Sequence, residues 1–110
     1  MAAAVLTPVA VTATTTISDL VTGPGSTAEE HVIDVRVCNK TATAATYRLA
    51  LATSDNATTV YRWYDFTIQP YDTRDLEVGL VIPNGWKLRH LAGTNSAIDV
   101  TATGVKRPTA

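Results

Sequence analysis

Charge is sparse in this 110-residue chain. Nine basic and ten acidic side chains make up 17% of it, and the formal net charge is −1. A soluble domain of ordinary composition carries about 25% charged residues. So even and sparse a balance excludes a binder that reads nucleic-acid phosphates by charge, an acidic disordered tail and a charged coiled coil. Cysteine occurs once, at Cys38, which rules out an internal disulfide. No apolar run approaches the roughly 20 residues needed for a membrane-spanning helix. The first residues, Met1-Ala2-Ala3-Ala4-Val5-Leu6, lack the basic cluster and long apolar stretch of a signal peptide, so a protein made in the cytoplasm is expected.

Reactive groups are equally thin. His31 and His90 lie far apart with no metal-ligand spacing around them. Glu29 and Glu30 are adjacent in what reads as a solvated loop, and Asp72 with Asp75 read as punctuation before a strand. Gly23-Pro24-Gly25-Ser26 is too short and rigid for a phosphate loop, and no lysine follows it. No Gly-x-Ser-x-Gly elbow is present. No catalytic residue, metal site or cofactor is expected, and Cys38 reads as a small buried or half-buried thiol. Two Asn-x-Thr sequons, at Asn39 and Asn56, arise by chance in a chain this rich in threonine.

What the chain has in abundance is strand-forming residues. Thr, Val and Ile fill 36 of 110 positions, and β-branched side chains suit a pleated, half-buried surface. Alternation of apolar and polar residues recurs in residues 31–39, 45–52, 60–67, 75–82, 86–92 and 97–104, with turn chemistry between them. Residues 5–17 alternate Val and Thr but contain Pro8, which cannot donate to a ladder, so this stretch is expected as an edge strand or extended arm. Residues 18–30 read as one long loop. Pro83-Asn84-Gly85 predicts a tight hairpin turn with a left-handed glycine. The expectation is an all-β chain: a single β-sandwich or jelly-roll-like domain of about seven to eight antiparallel strands with an extended N-terminal arm. Residues 1–30 would form the N-terminal strand and loop, 31–105 the sandwich, and 106–110 a C-terminal tail.

Strict alternation in 60–67 places Tyr61 and Trp63 on one face and Tyr64 and Phe66 on the other. One small core cannot hold both. One pair is therefore exposed at an interface or covered by the arm, packed by an irregular twist, or free to stack on a ligand such as a sugar ring. The scarcity of charge points toward burial against neighbours, because little charge must be desolvated. Val5, Pro8, Val9, Val11, Tyr61, Trp63, Trp86 and Arg107 are the candidate interface residues, and the expected assembly includes copies of the chain as a dimer or trimer.

From Val35 onward the chain resembles the small β-sandwich virion proteins of tailed bacteriophages. The likeness runs through Val35-Arg36-Val37-Cys38-Asn39-Lys40-Thr41, then Thr46-Tyr47-Arg48-Leu49-Ala50-Leu51. It continues with Leu76-Glu77-Val78-Gly79-Leu80-Val81-Ile82-Pro83-Asn84-Gly85-Trp86 and closes with Ile98-Asp99-Val100-Thr101-Ala102-Thr103-Gly104-Val105. It is a likeness of strand and turn spacing rather than of reactive residues, and the first 30 residues depart from it. The resemblance implies a non-enzymatic virion component, most concretely a capsid decoration (cement) protein bridging capsid subunits. Its partners would be the major capsid protein or other virion proteins, with no nucleic acid and no membrane. A head-tail, neck or fibre accessory protein is the alternative within the virion, and a carbohydrate-binding sandwich module the alternative outside it.

Overall fold

Alternation in residues 31–39 becomes a long strand with Ile33, Val35 and Val37 buried and Asp34 and Arg36 in solvent. A computed structural model describes residues 3–109, and among them it shows nine strands and no helix. These are β1 (Ala4–Val5), β2 (Val9–Thr12), β3 (Ser18–Thr22), β4 (Glu29–Asn39), β5 (Ala45–Thr53), β6 (Thr59–Ile68), β7 (Thr73–Pro83), β8 (Trp86–Ala92) and β9 (Ile98–Pro108).

The antiparallel pairings are nested. β5 pairs with β6, β4 with β7, β3 with β8, and β2 with β9. Lateral pairing of β4 with β9 and of β5 with β8 rolls this long hairpin into two facing sheets. One has the order β2-β9-β4-β7, with β1 also on β9, and the other the order β3-β8-β5-β6. This is the jelly-roll arrangement. Tyr47, Leu49 and Leu88 from the second sheet meet Ile33, Val35, Val100 and Ile98 from the first, all buried between the layers. Each fully buried side chain of this size contributes roughly 1.5–3 kcal/mol.

Three expectations change. Residues 18–22 form β3, and Glu29 and Glu30 open β4 with Glu29 buried, rather than lying in a solvated loop; a bulge between Asp19 and Val21 explains why the alternation of β3 is hard to see. The Pro83–Gly85 connection is tight and Gly85 takes φ +86°, but it does not close a hairpin. Pro83 pairs with Glu30 in one sheet and Trp86 with Thr53 in the other, so the turn carries the chain between layers. Residues 106–108, expected in the tail, extend β9 alongside Glu29 and Glu30.

Regularity is confined to the middle of each sheet. The β4–β9 register runs unbroken over eleven residue pairs and β5–β8 over seven. Among the described residues the pairings of β3, β6 and β7 each slip, and the N-terminal edge slips between β1 and β2. Between the Val5–Val105 and Val9–Ala102 pairs, the N-terminal strand uses one residue more than β9, and Pro8 sits in that bulge where its missing N–H costs nothing. β6 slips twice, with Asp65 at φ +49°, and β7 slips twice, with Gly79 at φ +71° donating its N–H to Asp34 Oδ1 at 2.7 Å. Gly104 meets another demand. A Cβ there would strike the Val32 carbonyl oxygen and lie 2.8 Å from Ile33 Cδ1, so only glycine lets β9 lie this close to β4.

Two polar clusters hold the layers together. At the end of β4, buried Asn39 donates from Nδ2 to the carbonyls of Thr43 (2.9 Å) and Ile68 (3.0 Å), and its Oδ1 accepts from the Thr41 amide (3.0 Å) and hydroxyl (2.7 Å). Along the edge where β6 and β7 face each other, Arg62 donates to buried Glu77 from Nε (2.5 Å) and Nη2 (3.1 Å), and Trp63 Nε1 adds a third bond at 3.2 Å. Removing the carboxylate leaves three donors on β6 without their acceptor, two of them on an arginine that can turn to water. Glu77→Ala is expected to cost about 2 kcal/mol and Arg62→Ala about half of that, read as a fall in urea midpoint at unchanged m-value. Equal effects from the two variants would refute the buried carboxylate as the anchor.

Candidate interaction surface

The two bulges in β6 rearrange the aromatic side chains. They place Trp63 and Phe66, three residues apart, together against the core, with ring centroids 5.0 Å apart and planes at 67°. Tyr61 and Tyr64 form a second edge-to-face pair, 5.0 Å apart at 84°. Strict alternation had joined Tyr61 to Trp63 and Tyr64 to Phe66, and each added bulge residue reverses the face of the strand residues beyond it. Two rings therefore complete the core while the tyrosine pair stays accessible.

The accessible pair forms a built surface. Tyr64 is 60% exposed, neighbouring Val60 56% and Tyr61 39%. The Arg48 guanidinium lies over the Tyr64 ring, 3.9 Å from its centroid, and donates to Asp65 from Nε (2.6 Å) and Nη2 (3.1 Å). That guanidinium holds the Asp65 carboxyl below the usual carboxylate range. The positive φ of Asp65 is what lets its carboxylate turn toward Arg48 from the bulge. Tyrosine and arginine are the residue types enriched where interfaces concentrate their energy, and here their rotamers are held by one another.

The other residues singled out from sequence are dispersed. Val5 is 84% exposed on β1, and Pro8 lies in the bulge. Val9 packs against the core, while Val11 is exposed on β2. Trp63 and Trp86 are half-buried with the core beneath them. Arg107 donates to Glu30 Oε2 at 2.9 and 3.0 Å. Tyr64, Arg48 and Val60 escape sequence reasoning as a group, because only the bulge brings them together.

The titratable and nucleophilic residues have structural surroundings. His90 is buried between the sheets and shares a 2.7 Å hydrogen bond with the hydroxyl of buried Tyr47. Burial lowers the His90 pKa from 6.5 to about 4, so the ring is neutral at pH 7. His31 donates from Nδ1 to the Thr22 carbonyl at 3.0 Å. Cys38 is half-buried, next to Asp99 in register. Among the described residues no three His, Cys, Asp or Glu side chains are grouped to hold a metal ion.

The sequence matches no protein-family model and no curated protein sequence. Solved structures do match. A chain of the icosahedral infectious bursal disease virus particle superposes with a TM-score of 0.60 at 9% identity, covering 96% of this chain and 31% of that one. The VP2 subviral particle of the same virus gives 0.54 at 12% identity, with 94% and 31% covered. A chain of the Bacillus endospore appendages, which are disulfide-linked pili, gives 0.57 at 9% identity, with 99% and 90% covered. This chain thus spans about a third of the viral chains and nearly all of the pilus chain. At such identities the likeness is one of architecture: the chain is a β-sandwich of the kind found in an icosahedral virus particle and in a bacterial pilus.

Proposed function

We propose that this chain is a non-enzymatic structural protein of a virus particle, and specifically a decoration protein that bridges neighbouring capsid subunits of a tailed bacteriophage. The observation carrying this reading is the nested jelly-roll strand order, superposable over 96% of the chain on a component of an icosahedral particle. The preorganised Tyr61–Tyr64–Arg48 surface and the sparse charge support it, as does the likeness to tailed-phage proteins from Val35 onward. Such a protein binds the assembled shell and not its separated subunits. It stabilises the particle by mass action, about 2.7 kcal/mol per site at a free concentration one hundred times Kd.

The test is addition of the purified chain to phage heads that lack it, followed by co-sedimentation and heating. Binding to heads and a higher temperature of DNA release are expected. Tyr64→Ala should weaken binding about tenfold or more without unfolding the chain. No sedimentation with heads would refute the decoration role. A fibre component is the second reading, favoured by the end-to-end match to the pilus chain, 90% of which is covered. It predicts filaments of the purified chain by electron microscopy.

A further inference from the structure

The register places four valines side by side across the whole width of one sheet. Val5 is the partner of Val105, Val105 of Val32, and Val32 of Val81, one on each of β1, β9, β4 and β7. They stand on the outer face, because their chain neighbours Ile33 and Ile82 are buried between the layers. With strands about 4.8 Å apart the row is about 15 Å long. Its ends are open, Val5 at 84% and Val81 at 40% exposure, and its middle is half-buried. Beside the row on one side lies the Glu30–Arg107 pair. On the other lie Asp34 and Thr103.

We propose that this face packs against the same face of a second copy of the chain, about a two-fold axis that runs along the strands between β4 and β9. That axis sets Val32 against the partner's Val105 and Val5 against the partner's Val81, in both directions. The same rotation sets Glu30 against the partner's Arg107 and Arg107 against the partner's Glu30, so that four charges alternate at one end of the row. A two-fold lying along the row would instead oppose Glu30 with the partner's Asp34. Charge thus selects one of the two ways of laying valine on valine.

Size and shape agree. Three strands of eleven residues, with β1 and β2 lying end to end along β9 as a fourth row, present roughly 600 Å² per copy, or about 1,200 Å² in total, the lower end of the range for stable interfaces. The slips at the sheet edges oppose growth by strand addition, whereas the unbroken β4–β9 ladder offers a regular surface for face-to-face packing. The inference rests on the reading of this chain as one that works in an assembly, and not on the assembly being a virion.

Sedimentation equilibrium of the purified chain tests it. A monomer–dimer equilibrium is expected below about 1 mM. Val81→Arg and Val5→Lys, both at exposed positions, should each raise Kd about tenfold or more. Glu30→Arg and Arg107→Glu should each weaken the homodimer by opposing like charges. Mixed in equal amounts these two variants should form a heterodimer tighter than either homodimer, because each restores the pairs that the other broke. A chain that stays monomeric to about 1 mM, a dimer indifferent to Val81→Arg, or a mixture no tighter than its components would each overturn the proposal. Dimerisation dependent on Tyr61 or Tyr64 and not on Val81 would overturn it too, and would assign the interface to β6 instead. Failure to bind phage heads would leave these results untouched, and a monomer would leave head binding untouched.

Discussion

Asn39→Ala is expected to lower the unfolding free energy by about 4 kcal/mol, a large share of the roughly 5–15 kcal/mol that holds a domain of this size. The amide uses all four of its hydrogen bonds, two donated and two accepted, in a place that water does not reach. It joins the end of β4 to the turn before β5 and to the last carbonyl of β6, so one side chain ties both sheets at that end. Truncation strips the Ile68 carbonyl and the Thr41 amide of their side-chain partner, at about 1–3 kcal/mol each, and leaves a small void. Thr41→Val removes a single bond and should cost about 1 kcal/mol. Denaturant titration decides between them: a loss under about 1 kcal/mol for Asn39→Ala would show that the two turns hold themselves.

Acid should weaken the fold well before its carboxylates titrate. His90 takes up a proton near pH 6.5 in the unfolded chain and only at about 4 in the folded one, because burial opposes the charge. Its contribution is therefore fully present above pH 6.5, is lost as pH falls from 6.5 to about 4, and is constant below that. The full loss is about 3 kcal/mol. The aspartates act lower. Asp65 and Asp75, held down by Arg48 and Arg36, and Asp99, held down by the Thr12 hydroxyl and Lys40, begin to contribute a loss only as pH falls through 3.8 and below. His90→Gln, which keeps a polar group beside the Tyr47 hydroxyl, should give a stability that is flat from pH 6.5 to about 4 and still declines beneath it. A variant with the wild-type slope across that window would show that another group carries the acid sensitivity.

Much of the fold is legible in the sequence where pairing is regular. β4, β5 and β8 lie in the middle of their sheets, where each residue keeps the face that alternation assigns it, and Ile33, Val35, Val37, Tyr47 and Leu49 are buried as their period requires. The edges read less well, because a bulge is a property of two strands together and one strand's sequence does not display it. This hides β3 and misassigns the aromatic faces of β6. Pro83-Asn84-Gly85 shows the limit of turn chemistry: it defines a reversal of direction, and the sheet that receives the next strand is set by partners far away in sequence. The surface is legible only in composition. Tyr64 is visible as an aromatic residue but not as the partner of Tyr61 and Arg48. Residues 5, 32, 81 and 105 become neighbours only through register, so no local pattern joins them.

The nested pairing also sets an order of completion. β5 and β6 adjoin in sequence and can pair as soon as both exist, whereas β9, the strand that fills the middle of one sheet, is the last of the nine to leave the ribosome. Until it arrives β4 has only β7 beside it, β1 and β2 have no strand to lie against, and Val5 and Val32 are not yet linked through Val105. A growing chain therefore carries the pieces of its valine face without the face itself. In the proposed dimer, recognition between copies would be withheld until the sheet is finished, a safeguard against premature association that comes from topology alone.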